Sequence, residues 1–154
     1  QDLFGDQKAS ETYIRNFDRE INKFAYFLER VIMKKTSTPT TGKILFAYAY
    51  ALEKIGDEIL RLWHVKEQIK LKQSEKIKDI AQMVKACLHH SFALYYRFSN
   101  KEVKKLIMLK ENFRNKTHTL IGKDVSSSWL LLYLIKIFDD AYDLMHLSLM
   151  KNNT

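Results

Sequence analysis

Four glycines and one proline in 154 residues leave this backbone few places to reverse sharply. β-sandwiches and barrels need a turn about every 8–12 residues, so a chain this poor in turn residues is constrained to long helices. Its length suits one compact domain or two small fused repeats. Hydrophobic residues at 46% supply enough apolar side chain for a core, which excludes a disordered tail. Cys87 is the single cysteine, so no intrachain disulfide framework exists; its apolar neighbours predict a buried, inert thiol in a reducing compartment. The longest apolar run, from Val125 to Ile135, is stopped by Lys136 and Asp139, too short for a membrane span, and a soluble, cytoplasmic protein is expected. The chain opens on Gln1 with no basic-then-apolar leader, which reads as a trimmed or processed fragment.

Apolar spacing places five helices. Ile14, Phe17, Ile21, Phe24, Leu28 and Val31 alternate steps of three and four, predicting one buried stripe on a helix from about Ser10 to Lys34. Thr38 before Pro39 reads as an N-cap and first helical position, followed by a helix through Ile44, Tyr48, Ala51, Leu52, Ile55, Ile59 and Leu62 to about Leu71. A third helix carries Ile80, Val84, Cys87, Leu88, Ser91 and Leu94, with Cys87 and Leu88 expected in the core. Ser99 with Glu102 three residues on is a capping box that opens a fourth helix through Val103, Leu106 and Phe113, with Gly122 as its stop. After Ser126-Ser127-Ser128 a fifth helix runs from about Trp129 to Met150.

The chain also repeats. Leu52-Glu53-Lys54-Ile55-Gly56-Asp57 and Phe138-Asp139-Asp140-Ala141-Tyr142-Asp143 share an apolar-acid-x-x-x-Asp pattern at an offset of 86, and each follows a Ser/Thr-rich loop. Leu3-Phe4-Gly5-Asp6 likewise matches Arg97-Phe98-Ser99-Asn100. The second copy then has three helices, at about 74–98, 99–121 and 126–150, while the first copy is expected to lack its first helix, upstream of Gln1.

Residues four apart on a helix lie one above the other, so Glu53 with Asp57 and Asp139 with Asp143 each place two carboxylates on one face, where they repel. A half-buried acidic pair needs a cation. A divalent metal with oxygen ligands is one source, with His146 three residues after Asp143 as an added imidazole; Arg61, Lys54 or Lys136 is the other. Asp139-Asp140-x-x-Asp143 also matches the short motif with which isoprenoid synthases hold magnesium diphosphate, although Glu53-Lys54-Ile55-Gly56-Asp57 is a poor second motif for that chemistry. No glutamate precedes a histidine by three residues, against a ferritin-like di-iron site. His89-His90 reads as one surface and one core histidine. A net charge of +8 is compatible with a nucleic-acid-associated domain, and equally with solvated lysine faces.

With both acidic motifs in place the chain resembles the PhoU family of phosphate-uptake regulators. Leu52-Glu53-Lys54-Ile55-Gly56-Asp57 is similar to that family's Leu-Glu-Arg-Ile-Gly-Asp signature, Asp139-x-x-x-Asp143 to its partner motif, and Asp18 in Phe17-Asp18-Arg19-Glu20 to an acidic position on its middle helix. The resemblance implies an all-α fold of two tandem antiparallel helical bundles, residues 1–72 and 73–154, the first missing its first helix. It further implies a non-enzymatic regulator that contacts a phosphate transporter or a sensor kinase and is compatible with a homodimer. Metal ions (iron, zinc, magnesium or manganese) would then be held by Glu53, Asp57, Asp139, Asp143, Asp18 and His146. Some archaeal relatives join an AbrB-like DNA-binding segment to such a region, so DNA contact would come only through an upstream segment. Asp140 and Tyr142 replace the usual residues of the second motif, and the +8 charge departs from the acidic bacterial members.

Overall fold

The computed structural model describes residues 11–34, 39–69, 75–122 and 125–152. They form five α-helices: α1 (Glu11–Lys34), α2 (Pro39–Ile69), α3 (Glu75–Tyr96), α4 (Asn100–His118) and α5 (Val125–Asn152). No strand occurs among the described residues, and none of their helices is long and apolar enough to cross a membrane. The expected Thr38 cap lies outside the described residues, as does the Leu3–Asp6 match.

The helices stack in the order α1, α2, α5, α3, α4, with α4 folding back to touch α5 lightly. Most of the core lies where α5 meets α2 and α3. Leu130, Leu131, Leu134, Ile137, Phe138 and Leu144 supply a fully buried α5 face, and Ile80, Cys87 and Leu94 supply that of α3. Phe113 of α4 closes this bundle by stacking on Phe138, ring centroids 3.8 Å apart. Each such aromatic contributes about 1.5–3 kcal/mol by leaving water. The Cys87 thiol is buried as expected, donates to the Phe138 carbonyl at 3.8 Å, and is pushed up to about 12 by desolvation. Leu88, in contrast, is only partly covered.

Three local expectations change. The stripe read on α1 splits lengthwise. Ile14 and Ala25 face α2 and are buried, with Ile21 and Leu28 half-covered beside them, whereas Phe17 and Phe24 are 49% and 55% exposed. At 100° per residue Tyr13, Phe17, Phe24 and Phe27 form a second line, rotated by a quarter-turn from Ile14 and Ala25; α2 covers one line and no described helix covers the other. The chain does break before α4, with Ser99 extended at φ −153° and its carbonyl accepting from the Val103 N–H at 3.1 Å, but the Ser99 hydroxyl caps nothing. Glu102 turns instead to His90 and Lys105, each at 2.6 Å, tying α4 to α3. His89 is exposed and His90 half-buried in this contact. Finally, α5 starts at Val125, so Ser127 and Ser128 belong to its first turn; Gly122, at φ +83°, makes the reversal and donates its N–H to Ser128 Oγ at 3.3 Å.

Gly56 sets how closely α1 approaches α2: a Cβ placed there would stand 3.2 Å from Ile21 Cδ1 and 3.3 Å from its Cγ2. Gly56→Leu should push the helices apart and lower stability by about 1–3 kcal/mol in urea unfolding. Gly56→Ala, which gains about 1 kcal/mol of helix propensity against a flexible neighbour, should lose far less. A leucine variant as stable as the parent chain would mean that α1 is not docked here.

Candidate functional site

The two acidic motifs sit on α2 and α5, which pack against each other and run antiparallel. Tyr48 near the start of α2 donates its hydroxyl to the Leu144 carbonyl at 2.9 Å and meets Ser148, both near the end of α5. Further along, Lys54 donates to Asp140 Oδ1 at 2.6 Å, and Lys136 of α5 meets Glu58 of α2. The arginine and lysines named as alternative cations are therefore all engaged with acids: Arg61 reaches Asp57 at 3.6 Å and Glu58 at 2.5 Å.

Glu53 and Asp57 turn toward α1. The Tyr26 hydroxyl hydrogen-bonds to Glu53, whose charge is the main reason its phenol is held above the ordinary value. Asp18 stands across from Asp57, and its carboxyl is raised, first by desolvation and second by the Asp57 charge. Asn22 Nδ2 donates to Asp18 Oδ2 at 3.4 Å, while the buried Asp18 Oδ1 has no hydrogen-bond partner among the described residues. Asp18, Glu53 and Asp57 thus lie along the α1–α2 junction, with Arg61 reaching Asp57.

Asp139 and Asp143 have different neighbours. Both are exposed on α5, on one wall of a cleft of about 540 Å³ whose other wall is α4, with Lys110, Arg114 and His118. His146 is exposed and packs edge-on against Tyr142, ring centroids 5.5 Å apart. The two acidic pairs therefore look onto separate helices, α1 and α4. Among the described residues no three His, Cys, Asp or Glu side chains are placed to hold one metal ion.

The most buried acids are Glu58, which no motif singled out, and Asp140, which the magnesium-diphosphate match names as a ligand. Glu58 is 1% exposed, its Oε1 accepting from Arg61 and Lys136 while its buried Oε2 has no partner among the described residues. The Asp140 side chain is 11% exposed, with Oδ2 in the same condition. A signal for both exists in the sequence. Glu58 falls three residues after Ile55 and four before Leu62, and Asp140 three after Ile137 and four before Leu144, so each carboxylate interrupts an apolar stripe.

What fold and site define together is an all-α helical bundle with a charged seam between its two longest helices. No family model, curated protein or solved structure matches the chain.

Two outcomes test this geometry. Asp18 is held above 3.8, its ordinary value, so its ionisation opposes folding; the cost is absent well below 3.8 and complete once pH exceeds the raised folded value. Asp18→Asn should therefore raise the melting temperature at neutral pH in the presence of chelator, with the gain fading as pH falls toward 3.8. At the seam, Lys54→Met leaves Asp140 largely buried without its cation and should cost about 1–3 kcal/mol. Adding Asp140→Leu should recover most of that loss, a coupling that a double-mutant cycle reads directly.

Proposed function

We propose that this chain is a PhoU-like helical regulator of phosphate uptake that works by protein–protein contact, with a phosphate transporter or its sensor kinase as partner. The observation that carries the reading is the aromatic line of α1 that no described helix covers, in which Phe17, Phe24 and Phe27 are each about half exposed or more. A contiguous apolar face of this kind marks an interaction surface, since scattered single exposures would not align at helical spacing.

The tandem-repeat part of the reading has its own support. The offset of 86 that carries one acidic motif onto the other also carries Lys54 onto Asp140, and these two residues face each other across the seam. Two repeats related by a two-fold axis place equivalent positions opposite one another only on that axis. Identical residues there would set like charges together; a lysine in one copy and an aspartate in the other attract. On this reading α3, α4 and α5 are one three-helix repeat, and α1 with α2 are the corresponding last two helices of the other.

We assign a metal ion first to Asp18 and Asp57, whose charges act on each other and where Asp18 Oδ1 is buried without a partner among the described residues; the three carboxylates Asp18, Glu53 and Asp57 are not placed to share one ion as they stand, so Glu53 would have to be drawn in on binding. All donors are oxygen, which suits magnesium, manganese or oxidised iron better than zinc. Binding would compete with the Arg61 contact to Asp57 and the Tyr26 hydroxyl on Glu53. Asp139, Asp143 and His146 are the weaker candidates, because Lys110 and Arg114 line the same cleft. The diphosphate-enzyme alternative gains nothing here, since Asp140 is turned to Lys54, away from that cleft.

The test is radiolabelled phosphate uptake in host cells lacking the chain. Restoring it should repress uptake in high phosphate, whereas a Phe17→Glu, Phe24→Glu variant with unchanged circular dichroism should not. Uptake that does not respond to either protein would overturn the regulator reading. Metal is tested separately: manganese should raise the melting temperature of the parent chain but not of Asp18→Asn or Asp57→Asn, and should still raise that of Asp143→Asn.

A further inference from the structure

The α4–α5 face carries a charge pattern that is complementary to itself. Two clefts of about 400 and 540 Å³ lie along the junction of these helices and share Ile121 and Ile135 as lining, so they form one trough. Its first end is apolar, with Val125, Trp129 and Leu132 each more than half exposed. Its second end is charged, with Lys110 and Arg114 on α4 and Asp139 and Asp143 on α5. Opposite charges lining one cleft would be expected to pair. Among the described residues neither cation forms an ion pair with either aspartate, and Lys110 lies instead over the Tyr142 ring at 3.8 Å from its centroid.

We infer that this trough is the interface of a two-fold homodimer, in which α4 of each copy seats against α5 of the other. The helices are antiparallel, with Phe113 stacked on Phe138 and Lys110 over Tyr142, so Arg114 lies level with Asp139 and Lys110 level with Asp143. A two-fold axis parallel to the helices keeps each residue at its own height while exchanging α4 for α5. Arg114 then faces Asp139 of the second copy and Lys110 faces Asp143, each contact occurring twice, and the apolar ends around Trp129 meet one another. An isologous interface must be complementary to itself, and equal numbers of cations and anions segregated onto two helices meet that condition. A small anion would leave Asp139 and Asp143 uncompensated, and an apolar peptide would leave all four charges so.

The size of the face sets the strength. From Val125 to Asp143 is about 27 Å of helix at about 1.5 Å per residue, and two helices side by side are about 20 Å wide. The dimer therefore buries about 500 Å² per copy, at the low end for a specific complex, and should dissociate on dilution and with added salt. This inference stands apart from the regulator reading, which uses α1 and the Asp18 cluster.

Analytical ultracentrifugation of the full chain across a concentration series, with chelator present, tests it. The parent chain should shift from monomer to dimer as concentration rises, and Trp129→Ala should raise the dissociation constant about tenfold or more. Arg114→Glu alone and Asp139→Arg alone should each remain monomeric, because each sets like charges across the axis twice. Mixed in equal amounts, these two variants should form a heterodimer: the introduced glutamate faces the introduced arginine, and the native Arg114 of one faces the native Asp139 of the other. Circular dichroism of each variant separates lost association from lost folding, and rescue on mixing cannot come from an unfolded chain. A parent chain monomeric throughout, a dimer that both reversals leave intact, or a mixture that stays monomeric would overturn the inference.

Discussion

A glutamate buried between two helices is the point on which this arrangement turns. Glu58 is 1% exposed on α2, and Lys136 from α5 and Arg61 from its own helix reach it from the solvent side. Removing an ionised carboxylate from water costs several kcal/mol unless cations and hydrogen bonds replace the lost hydration, so α2 can bury this face only where α5 presents a lysine. Asp140 poses the same demand from the other side and Lys54 answers it. Two such reciprocal pairs, with Tyr48 bonded to the Leu144 carbonyl, favour one antiparallel register; sliding by a helical turn would set Glu58 against Asp140 in one direction and Lys54 against Lys136 in the other. Apolar contact makes the seam stable, and the charges make it specific.

From that seam the two halves diverge. On the α5 side three helices enclose a continuous core, and Cys87, Leu106 and Phe138 are wholly covered. On the α2 side only α1 is present among the described helices; it packs along α2 with a close approach at Gly56 and adds only a small separate cluster of Ile14 with Trp63. The excess apolar arc of α1 follows from that difference. A helix with aromatic residues on both sides of its packed line is shaped for two neighbours, and among the described helices it packs against one.

The acidic pairs show how neighbours give the same sequence pattern different chemistry. Glu53 and Asp57 face another acid, Asp18, and accumulate negative charge beside a tyrosine hydroxyl. Asp139 and Asp143 face a basic helix surface across an open trough. The first environment favours recruiting a cation from solution, and the second favours a partner that brings cations and anions together. An i,i+4 carboxylate pair carries neither outcome by itself, because the deciding charge lies on a helix remote in sequence.

Much was legible in the residues alone, because helical periodicity is a local property. Five helices and their approximate bounds follow from apolar spacing, the Pro39 start and the Gly122 reversal, and the buried thiol of Cys87 from its place in the α3 stripe. The offset of 86 was equally visible in the two acid motifs. Periodicity says which residues share a face, but it is silent on which neighbour covers that face or whether any does. The Phe17 and Phe24 line therefore read as core and emerged exposed, while Glu58, which no motif marked, and Asp140, which a motif marked only as a candidate magnesium ligand, emerged buried. Their fate depended on long-range pairing, Lys54 with Asp140 and Lys136 with Glu58, and the free energy of a buried charge is set by its three-dimensional surroundings and not by its place along the chain.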